Sequence, residues 1–286
     1  MKDIDGYIDL RFVHRNNRTV AERTYREGNS RISASITDTG TTPVYFLIST
    51  GGGFIEGESY HQHISLEENA HAVVTSQAPS YIYKCENGLT TKQSTAITVG
   101  KNATLEFYLD EVVPYKNANY LQETTVDLDE GASIILTDGL TAGWSPDGSP
   151  FQYRFAGLKM TIKQNDRLLL NDFLVCDPLE DDMGEIGFFE GYKNYNSVTI
   201  IDPLLTQKHV DQFREVLASI DTDCRYGITQ IDSGVVLRVL GPNYHENRRL
   251  IWLFTNFYRE EIKIFSPINL RKPDRKSTRL NSSHIL

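Results

Sequence analysis

Cysteine is scarce in this chain, and long apolar runs are missing. The 286 residues include three cysteines, Cys85, Cys176 and Cys224, which lie far apart and are odd in number. This pattern fits neither a disulfide framework nor a CxxC zinc site, and it favours reduced, buried thiols. No apolar run approaches the roughly 20 residues that span a bilayer, and the first residues lack the apolar region of a secretory signal. We therefore expect a cytoplasmic protein without a membrane segment.

Motifs that bind phosphate or cleave bonds are also missing. Gly51, Gly52 and Gly53 are not followed by Gly-Lys-Ser/Thr, and no GxGxxG pattern opens a helix. Neither glycine-rich phosphate loop is therefore present. The chain also has no GxSxG elbow and no HExxH helix, which are signatures of hydrolases and metalloproteases. We therefore do not expect an enzyme.

Basic residues are outnumbered by acidic ones. Lys and Arg total 29 and Asp and Glu total 38, which gives a formal net charge of −9. This balance argues against nucleic acid as a partner, because neutralising phosphates requires clustered Lys and Arg. It suits the binding of cations or of basic protein surfaces.

The end of the chain has an unusual origin. Residues 274–284 read as the in-frame translation of a common short-read sequencing adapter. We interpret residues 274–286 as an artefact, in the way that tags are excluded from fold reasoning, and we expect the natural C-terminus to be missing. No Pro/Ser/Gly-rich linker divides the rest. Residues 1–273 are therefore predicted to form one β-rich domain with a helical elaboration at about 204–265.

The first two thirds of the chain read as β-strands. Short runs rich in β-branched and aromatic residues are bounded by turn formers. These runs are residues 7–12, 44–48, 72–75, 103–107, 134–136 and 159–162.

A short unit recurs within this β-rich region, at residues 66–70, 99–103 and 128–132. Each copy has an apolar residue, two turn-compatible residues, Asn or Gly, and then an Ala that opens the next strand. The copies are roughly 30 residues apart, a period typical of stacked β-coils that bury their apolar faces against one another. Three ordinary hairpins are the alternative. We predict a mainly β fold, an irregular β-solenoid or a pair of stacked sheets.

Two helices are predicted late in the chain. Thr206 can cap a helix over residues 207–220, in which apolar residues recur at spacings of three and four. Pro242 opens a second helix with an apolar, aromatic face at residues 250–258. We expect both stripes to pack in a core rather than to bind a partner. Residues 226–230 and 235–239 read as a strand pair between the helices.

Two pairs of side chains could bind a cation. Glu56 and Glu58 are two apart, so an extended segment would place both carboxylates on the face that carries Phe54 and Tyr60. Oxygen ligands hold nickel weakly, and a solvated acidic turn is the alternative. His61 and His63 could also bind nickel or zinc, although the outer face of a half-buried strand explains them better.

The glycine-rich segment and a second strand together form a recognisable signature. Residues 50–60, Thr-Gly-Gly-Gly-Phe-Ile-Glu-Gly-Glu-Ser-Tyr, are followed by Thr75-Ser76-Gln77 and by an aromatic-basic pair at 83–84. This pattern resembles the urease accessory protein D family, also called the H protein. The resemblance continues at residues 115–118, 138–143 and 184–187. The motif positions are Gly51, Gly52, Gly53, Gly57, Thr75, Gln77 and Tyr83.

The resemblance implies a function as well as a fold. Members of that family are non-catalytic β-helical scaffolds that dock on apo-urease, bind accessory proteins F and G, and help conduct nickel to the urease active site. By motif position, Glu58 and Asp138 are the main candidates for the nickel route, with Glu56 and Glu185 as weaker ones. Nickel would be in transit, and no tightly bound cofactor, nucleic acid or membrane is expected.

One position departs from the family pattern, and two other functions stay open. Many members have Lys where this chain has Tyr81, and Lys84 is an odd number of residues away, on the opposite strand face. The alternatives are a β-solenoid enzyme acting on acidic polysaccharide and a β-rich adaptor without a metal role.

Overall fold

The computed structural model describes residues 4–35, 42–268 and 270. The suspected adapter tail at 274–286 lies outside these residues. About half of the structure is strand and 12% is helical, with strands stacked in coils of about 4 turns. The predicted mainly β, solenoid-like fold with two helices is confirmed.

The strands are numbered in chain order, and their bounds are as follows: β1 (Gly6–Arg15), β2 (Arg18–Gly28), β3 (Ser30–Ile32), β4 (Val44–Ser49), β5 (Ser59–Leu66), β6 (His71–Ser76), β7 (Ser80–Ile82), β8 (Thr91–Val99), β9 (Thr104–Tyr108), β10 (Val112–Pro114), β11 (Asn119–Leu128), β12 (Ser133–Thr141), β13 (Phe155–Gln164), β14 (Arg167–Cys176), β15 (Asn194–Ile201), β16 (Arg225–Ile231) and β17 (Gly234–Gly241).

Two sheets face each other across the interior. In the described residues, the first sheet has the order β14-β13-β11-β8-β5-β1-β2 and the second β16-β17-β15-β12-β9-β6-β4-β3. The central strands of both sheets pair in parallel, and the outer strands add antiparallel. In each coil the chain passes from the first sheet to the second and back. A short third side is formed by β7, β10 and two isolated bridges, Phe54–Ile82 and Tyr115–Trp144.

The recurring sequence unit forms one corner of each coil. Asn69, Asn102 and Gly131 occupy the same place in three successive corners, with φ of 60°, 55° and 72°. Asn and Gly tolerate this left-handed backbone better than other residues do. The corners also bond to each other, since the N–H of Asn69 donates to Lys101 O at 3.0 Å and that of Asn102 to Glu130 O at 3.1 Å. The unit is therefore a stacked corner and not a hairpin.

The inward face of the first sheet changes character along its strands. Near the stacked corners, one residue from each of five neighbouring strands forms an aliphatic row that is no more than 1% exposed: Leu10, Ile64, Ile97, Val126 and Ile162. Four residues earlier in the three central strands, the same inward face carries Tyr60, Gln93 and Gln122. The interior therefore has a dry end and a polar end.

The two helices, α1 (Gln207–Ala218) and α2 (Tyr244–Phe257), cover the outer face of the second sheet. Phe213 and Phe254 stack between them with ring centroids 4.2 Å apart. The prediction that the aromatic stripes form a core is confirmed. Helix α2 begins after Asn243, whose side chain accepts a hydrogen bond from the N–H of Glu246 at 3.1 Å, and not at Pro242. The predicted strand pair is the β16–β17 hairpin.

Candidate functional site

The polar end of the interior contains a row of neutral side chains. Tyr60, Gln93 and Gln122 are register neighbours on β5, β8 and β11, and they are 3%, 4% and 2% exposed. They line a cavity of about 220 Å³ together with residues of the glycine-rich turn and the segment 76–81. The lining mixes these hydroxyl and amide groups with apolar side chains such as Ile8, Leu47 and Leu109.

Glu58 lies directly behind this row. The side chain is 9% exposed, and its Oε2 accepts hydrogen bonds from the Ile55 N–H at 2.8 Å and from the Tyr60 hydroxyl at 2.7 Å. Burial, together with the hydrogen bond to Glu58, raises the pKa of Tyr60 well above its usual value. Tyr60 therefore stays protonated and links Glu58 to the cavity lining by a hydrogen bond.

Asp138 lies on the opposite flank, on β12 of the second sheet. It is also 9% exposed, and its Oδ2 accepts a hydrogen bond from the Gln122 amide at 3.0 Å. Its Oδ1 accepts from the N–H of Gly139 at 2.8 Å. Burial raises the pKa of Asp138 to about 7. Burial therefore favours the protonated form of this carboxyl group over the charged one.

The two carboxylates thus flank one cavity, each through a hydrogen bond to a lining residue. Tyr60 connects Glu58 to the cavity, and Gln122 connects Asp138 to it. The sequence motif had placed these two acids 80 residues apart along the chain. The coil geometry brings their partners into one row of the same sheet.

Comparison with known proteins decides the family. A family model described as UreD urease accessory protein matches residues 5–271. The chain belongs to the UreD urease accessory protein family. The family predicted from the glycine-rich signature is therefore confirmed.

Curated members of the UreD family match over most of their length. The urease accessory protein UreD of Streptococcus thermophilus (strain ATCC BAA-250 / LMG 18311) is 42% identical over 271 residues, covering 94% of this chain and 97% of that protein. The protein of the same name from Bacillus sp. (strain TB-90) is 30% identical, with 93% and 98% covered. That of Ureaplasma urealyticum serovar 10 is 31% identical, with 81% and 82% covered.

Glu56 occupies a different environment from Glu58. The segment is not extended as expected, because residues 55–58 form a turn with Gly57 at φ 77°. Glu56 accepts hydrogen bonds from the backbone N–H groups of Glu86, Asn87 and Leu89. Desolvation raises the pKa of Glu56, but the hydrogen bonds from Leu89 and Asn87 outweigh it and lower the net pKa. The expectation that Glu56 and Glu58 share one face is wrong.

The other candidate ligands lie away from the cavity. Glu185 is exposed on the segment that follows β14. His61 and His63 are on the outer face of β5, where their Nδ1 atoms lie 2.6 Å from Ser94 Oγ and 3.3 Å from Asp9 Oδ1. Within the described ranges, no group of three or more His, Cys, Asp or Glu residues is arranged to hold a metal ion.

Three of the UreD motif residues, Gly52, Gly53 and Gln77, line the cavity. A Cβ on Gly53 would lie 2.8 Å from the Tyr81 carbonyl oxygen and 2.8 Å from the Tyr83 ring, so only glycine fits there. Gln77 lines the cavity, and the hydroxyl of Thr75 donates to the Tyr108 carbonyl at 2.6 Å. Gly51 and Gly52 are exposed on the same turn, where Gly52 has a φ of 73° and accepts a hydrogen bond from the Tyr83 hydroxyl at 3.3 Å.

Tyr81, the position at which the sequence departs from the pattern it otherwise resembles, lies at this cavity wall. Tyr81 lines the cavity, whereas Lys84 is exposed and paired with Glu86 at 2.5 Å. Lys84 therefore does not bring a positive charge to the position of Tyr81.

Sequence reasoning missed the row of Tyr60, Gln93 and Gln122. Strand β8 carries a sequence signal for this row, because its inward-facing residues change from polar to aliphatic along the strand. The polar ones are Gln93 and Thr95, and the aliphatic ones are Ile97 and Val99. In the part of the chain that the structure describes, no helix is long and apolar enough to cross a membrane.

Proposed function

We propose that this chain is a urease maturation scaffold that docks on apo-urease with accessory proteins F and G and helps deliver nickel to the urease active site. The family description and the names of the curated relatives support the role in urease maturation. A description as an accessory protein also supports a scaffold role rather than a catalytic one. The partners F and G and the nickel cargo follow from the resemblance of the motifs.

We further propose that nickel in transit passes through the polar end of the interior. The single observation that carries this proposal is the placement of Glu58 and Asp138 on two flanks of one cavity, each hydrogen-bonded to a lining residue. Each acid accepts hydrogen bonds but has no cationic partner among the described residues, and a buried negative charge without a counter-charge is unfavourable. A divalent cation entering the cavity would therefore be attracted to them. The dry end offers a cation no oxygen ligand.

The chemistry of the cavity favours passage over tight binding. Nickel prefers imidazole and thiolate ligands for tight sites, and oxygen ligands hold it more weakly. Tyr60, Gln93 and Gln122 supply neutral oxygen atoms between the two carboxylates. Asp138, with its pKa raised to about 7 by burial, can release a proton when a cation arrives and recover one when the cation leaves. A cation can therefore move between the flanks without a deep energy minimum.

A reconstituted maturation reaction tests the function as a whole. Purified apo-urease, accessory proteins F and G, GTP and nickel are combined with and without this chain, and urease activity and nickel content are measured. We expect efficient activation only when the chain is present. Equal activation without it would refute the scaffold role, whereas activation by the chain with unchanged nickel content would support an adaptor without a metal role.

A further inference from the structure

The two edges of the first sheet are built differently. Edge strands with unpaired backbone groups bind other strands unless charges, bulges or prolines protect them. Strand β2 is protected, because its exposed side chains are mainly charged and several are in ion pairs, such as Arg23 with Asp9 at 2.5 Å and Arg11 with Glu22 at 3.4 Å. A bulge lies between Arg11 and Phe12 in its pairing with β1.

Strand β14 is protected less fully, although its pairing with β13 also contains a bulge, between Ile162 and Lys163, and its Arg167 and Asp172 are in ion pairs with Asp232 and Arg238. Apart from Arg167 and Asn171, its exposed side chains are apolar, with Leu168, Phe173 and Val175 being 54%, 49% and 38% exposed. Among the described strands, β14 pairs only with β13, so its other long edge carries no strand. A ten-residue edge of this composition is one that a soluble protein normally avoids or covers with a partner.

The segment that follows β14 is strongly acidic. Residues 177–191 contain six carboxylate side chains and no Lys or Arg. Glu190 is paired with Arg225, whereas the other five acidic residues are in no ion pair among the described residues: Asp177, Glu180, Asp181, Asp182 and Glu185. The same segment exposes 74% of Leu179 and 87% of Ile186. Unpaired negative charge therefore lies directly beside exposed apolar side chains.

We propose that the β14 edge and residues 177–191 together dock an extended, basic segment of another protein, which adds a strand to the first sheet. Backbone hydrogen bonds to a sheet edge supply affinity, and alternate side chains supply specificity. Phe173 and Val175 would contact apolar residues of the added strand, and the five carboxylates would contact its Lys or Arg residues. The inference does not depend on the nickel path.

Charge complementarity favours a basic partner over a second copy of this chain. A second β14 would offer one basic side chain, Arg167, which is already paired with Asp232. It would also bring a second acidic segment, so five unpaired carboxylates on each copy would stay largely uncompensated. A Lys/Arg-containing strand neutralises them.

Peptide binding to the full chain tests this surface. The probe is a fluorescein-labelled ten-residue peptide of alternating Lys and Val, and its controls are a Glu/Val peptide and a Lys/Val peptide with two internal prolines. We expect fluorescence anisotropy to show binding of the first peptide alone, weakened by salt. Phe173→Ser, and Asp181→Asn with Asp182→Asn, should each weaken it about tenfold. Tyr25→Ser on β2, where Tyr25 is 43% exposed, is the matched control and should have no effect.

Hydrogen exchange on the unmutated chain provides a test that does not depend on the folding of a variant. Amides of β14 should gain protection when the Lys/Val peptide is added, and those of β2 should not. Equal binding of the proline-containing peptide, or equal loss of binding in Phe173→Ser and Tyr25→Ser, would overturn the proposal. Self-association through β14 without peptide binding would overturn it as well, in favour of a second copy.

Discussion

The dry and polar ends of the interior are made by the same strands, four residues apart. Strand β8 contributes Ile97 to the aliphatic row and Gln93 to the polar row, both on its inward face. The dry end stabilises the coil stack by burying aliphatic side chains, each worth roughly 1.5–3 kcal/mol. The polar end gives up part of that stabilisation and keeps a cavity between two carboxylates. Stability and the proposed transport therefore reside in different layers of one solenoid.

Placing an amide in the dry end should have the largest effect on stability. Ile97→Gln removes a side chain that is 1% exposed and buries an amide without partners, so we expect a loss of about 3–5 kcal/mol in the free energy of unfolding. The matched change at the polar end, Gln93→Leu, should alter it by no more than about 1 kcal/mol. Urea denaturation of both variants checks the difference. Equal losses would mean that the two ends are not distinct.

Removing the hydrogen-bond donor of Asp138 should have the next largest effect. Gln122→Leu leaves the carboxylate without its amide partner, which should cost about 1–3 kcal/mol. The Gln122 hydrogen bond lowers the pKa of Asp138, so its loss should raise that pKa further and make the destabilisation larger above neutral pH than below it. Urea denaturation at two pH values measures this. The same substitution in an Asp138→Asn background should lose the pH dependence.

The raised pKa of Asp138 also makes stability depend on pH. Burial raises this pKa from 3.8 to about 7, so the folded state favours the protonated acid. The protonated Asp138 stabilises the fold fully when the pH is below 3.8, the pKa of this group in the unfolded chain. That stabilisation is lost as the pH rises through about 7, its pKa in the folded protein. We expect stability to fall by on the order of 1–3 kcal/mol between about pH 5 and pH 8 through this group. Asp138→Asn should flatten that slope, and an unchanged slope would assign it to another group.

Glu56 offers a control with a small effect. Glu56→Gln keeps one acceptor oxygen for the N–H groups of Asn87 and Leu89, loses the second acceptor that receives hydrogen bonds from the Glu86 N–H and the Asn87 side chain, and lies outside the cavity lining. We expect a small decrease in the melting temperature and no change in nickel delivered to urease. If Glu56→Gln loses nickel delivery to urease and keeps a normal melting temperature, the nickel route runs past Glu56, on the outside of the turn at residues 55–58. Glu56 was the weaker candidate from the sequence motif.

Local sequence signals predicted the parts of the fold that depend on local geometry. The corner units were visible because Asn69, Asn102 and Gly131 must adopt left-handed backbone and each is followed by a buried Ala. The start of α1 was visible from Thr206 and the apolar spacing. The start of α2 was misplaced by two residues because both Pro242 and Asn243 can open a helix, and the Asn243 side chain forms the cap.

The candidate site was less predictable, because it depends on contacts between coils. Glu58 and Asp138 were chosen by resemblance, but their shared cavity could not be read from their positions in the chain. The polar row joins Tyr60, Gln93 and Gln122 from three coils. The relation of Glu56 to Glu58 was misjudged because Gly57 reverses the backbone between them. Alternation along one strand indicates a face, and only the register between strands indicates neighbours.

Nickel transfer by variants of Glu58 and Asp138 tests whether these two buried acids guide nickel to urease. Glu58→Gln and Asp138→Asn keep side-chain oxygen acceptors for Tyr60 and Gln122 and remove the anionic charge. Each variant is added to the maturation reaction with apo-urease, F, G and limiting nickel, and nickel per urease active site is measured beside a thermal melt and a co-purification of the complex. We expect folded variants that still bind their partners, lower nickel loading, and partial recovery with excess nickel. Normal nickel loading with both charges removed would contradict it.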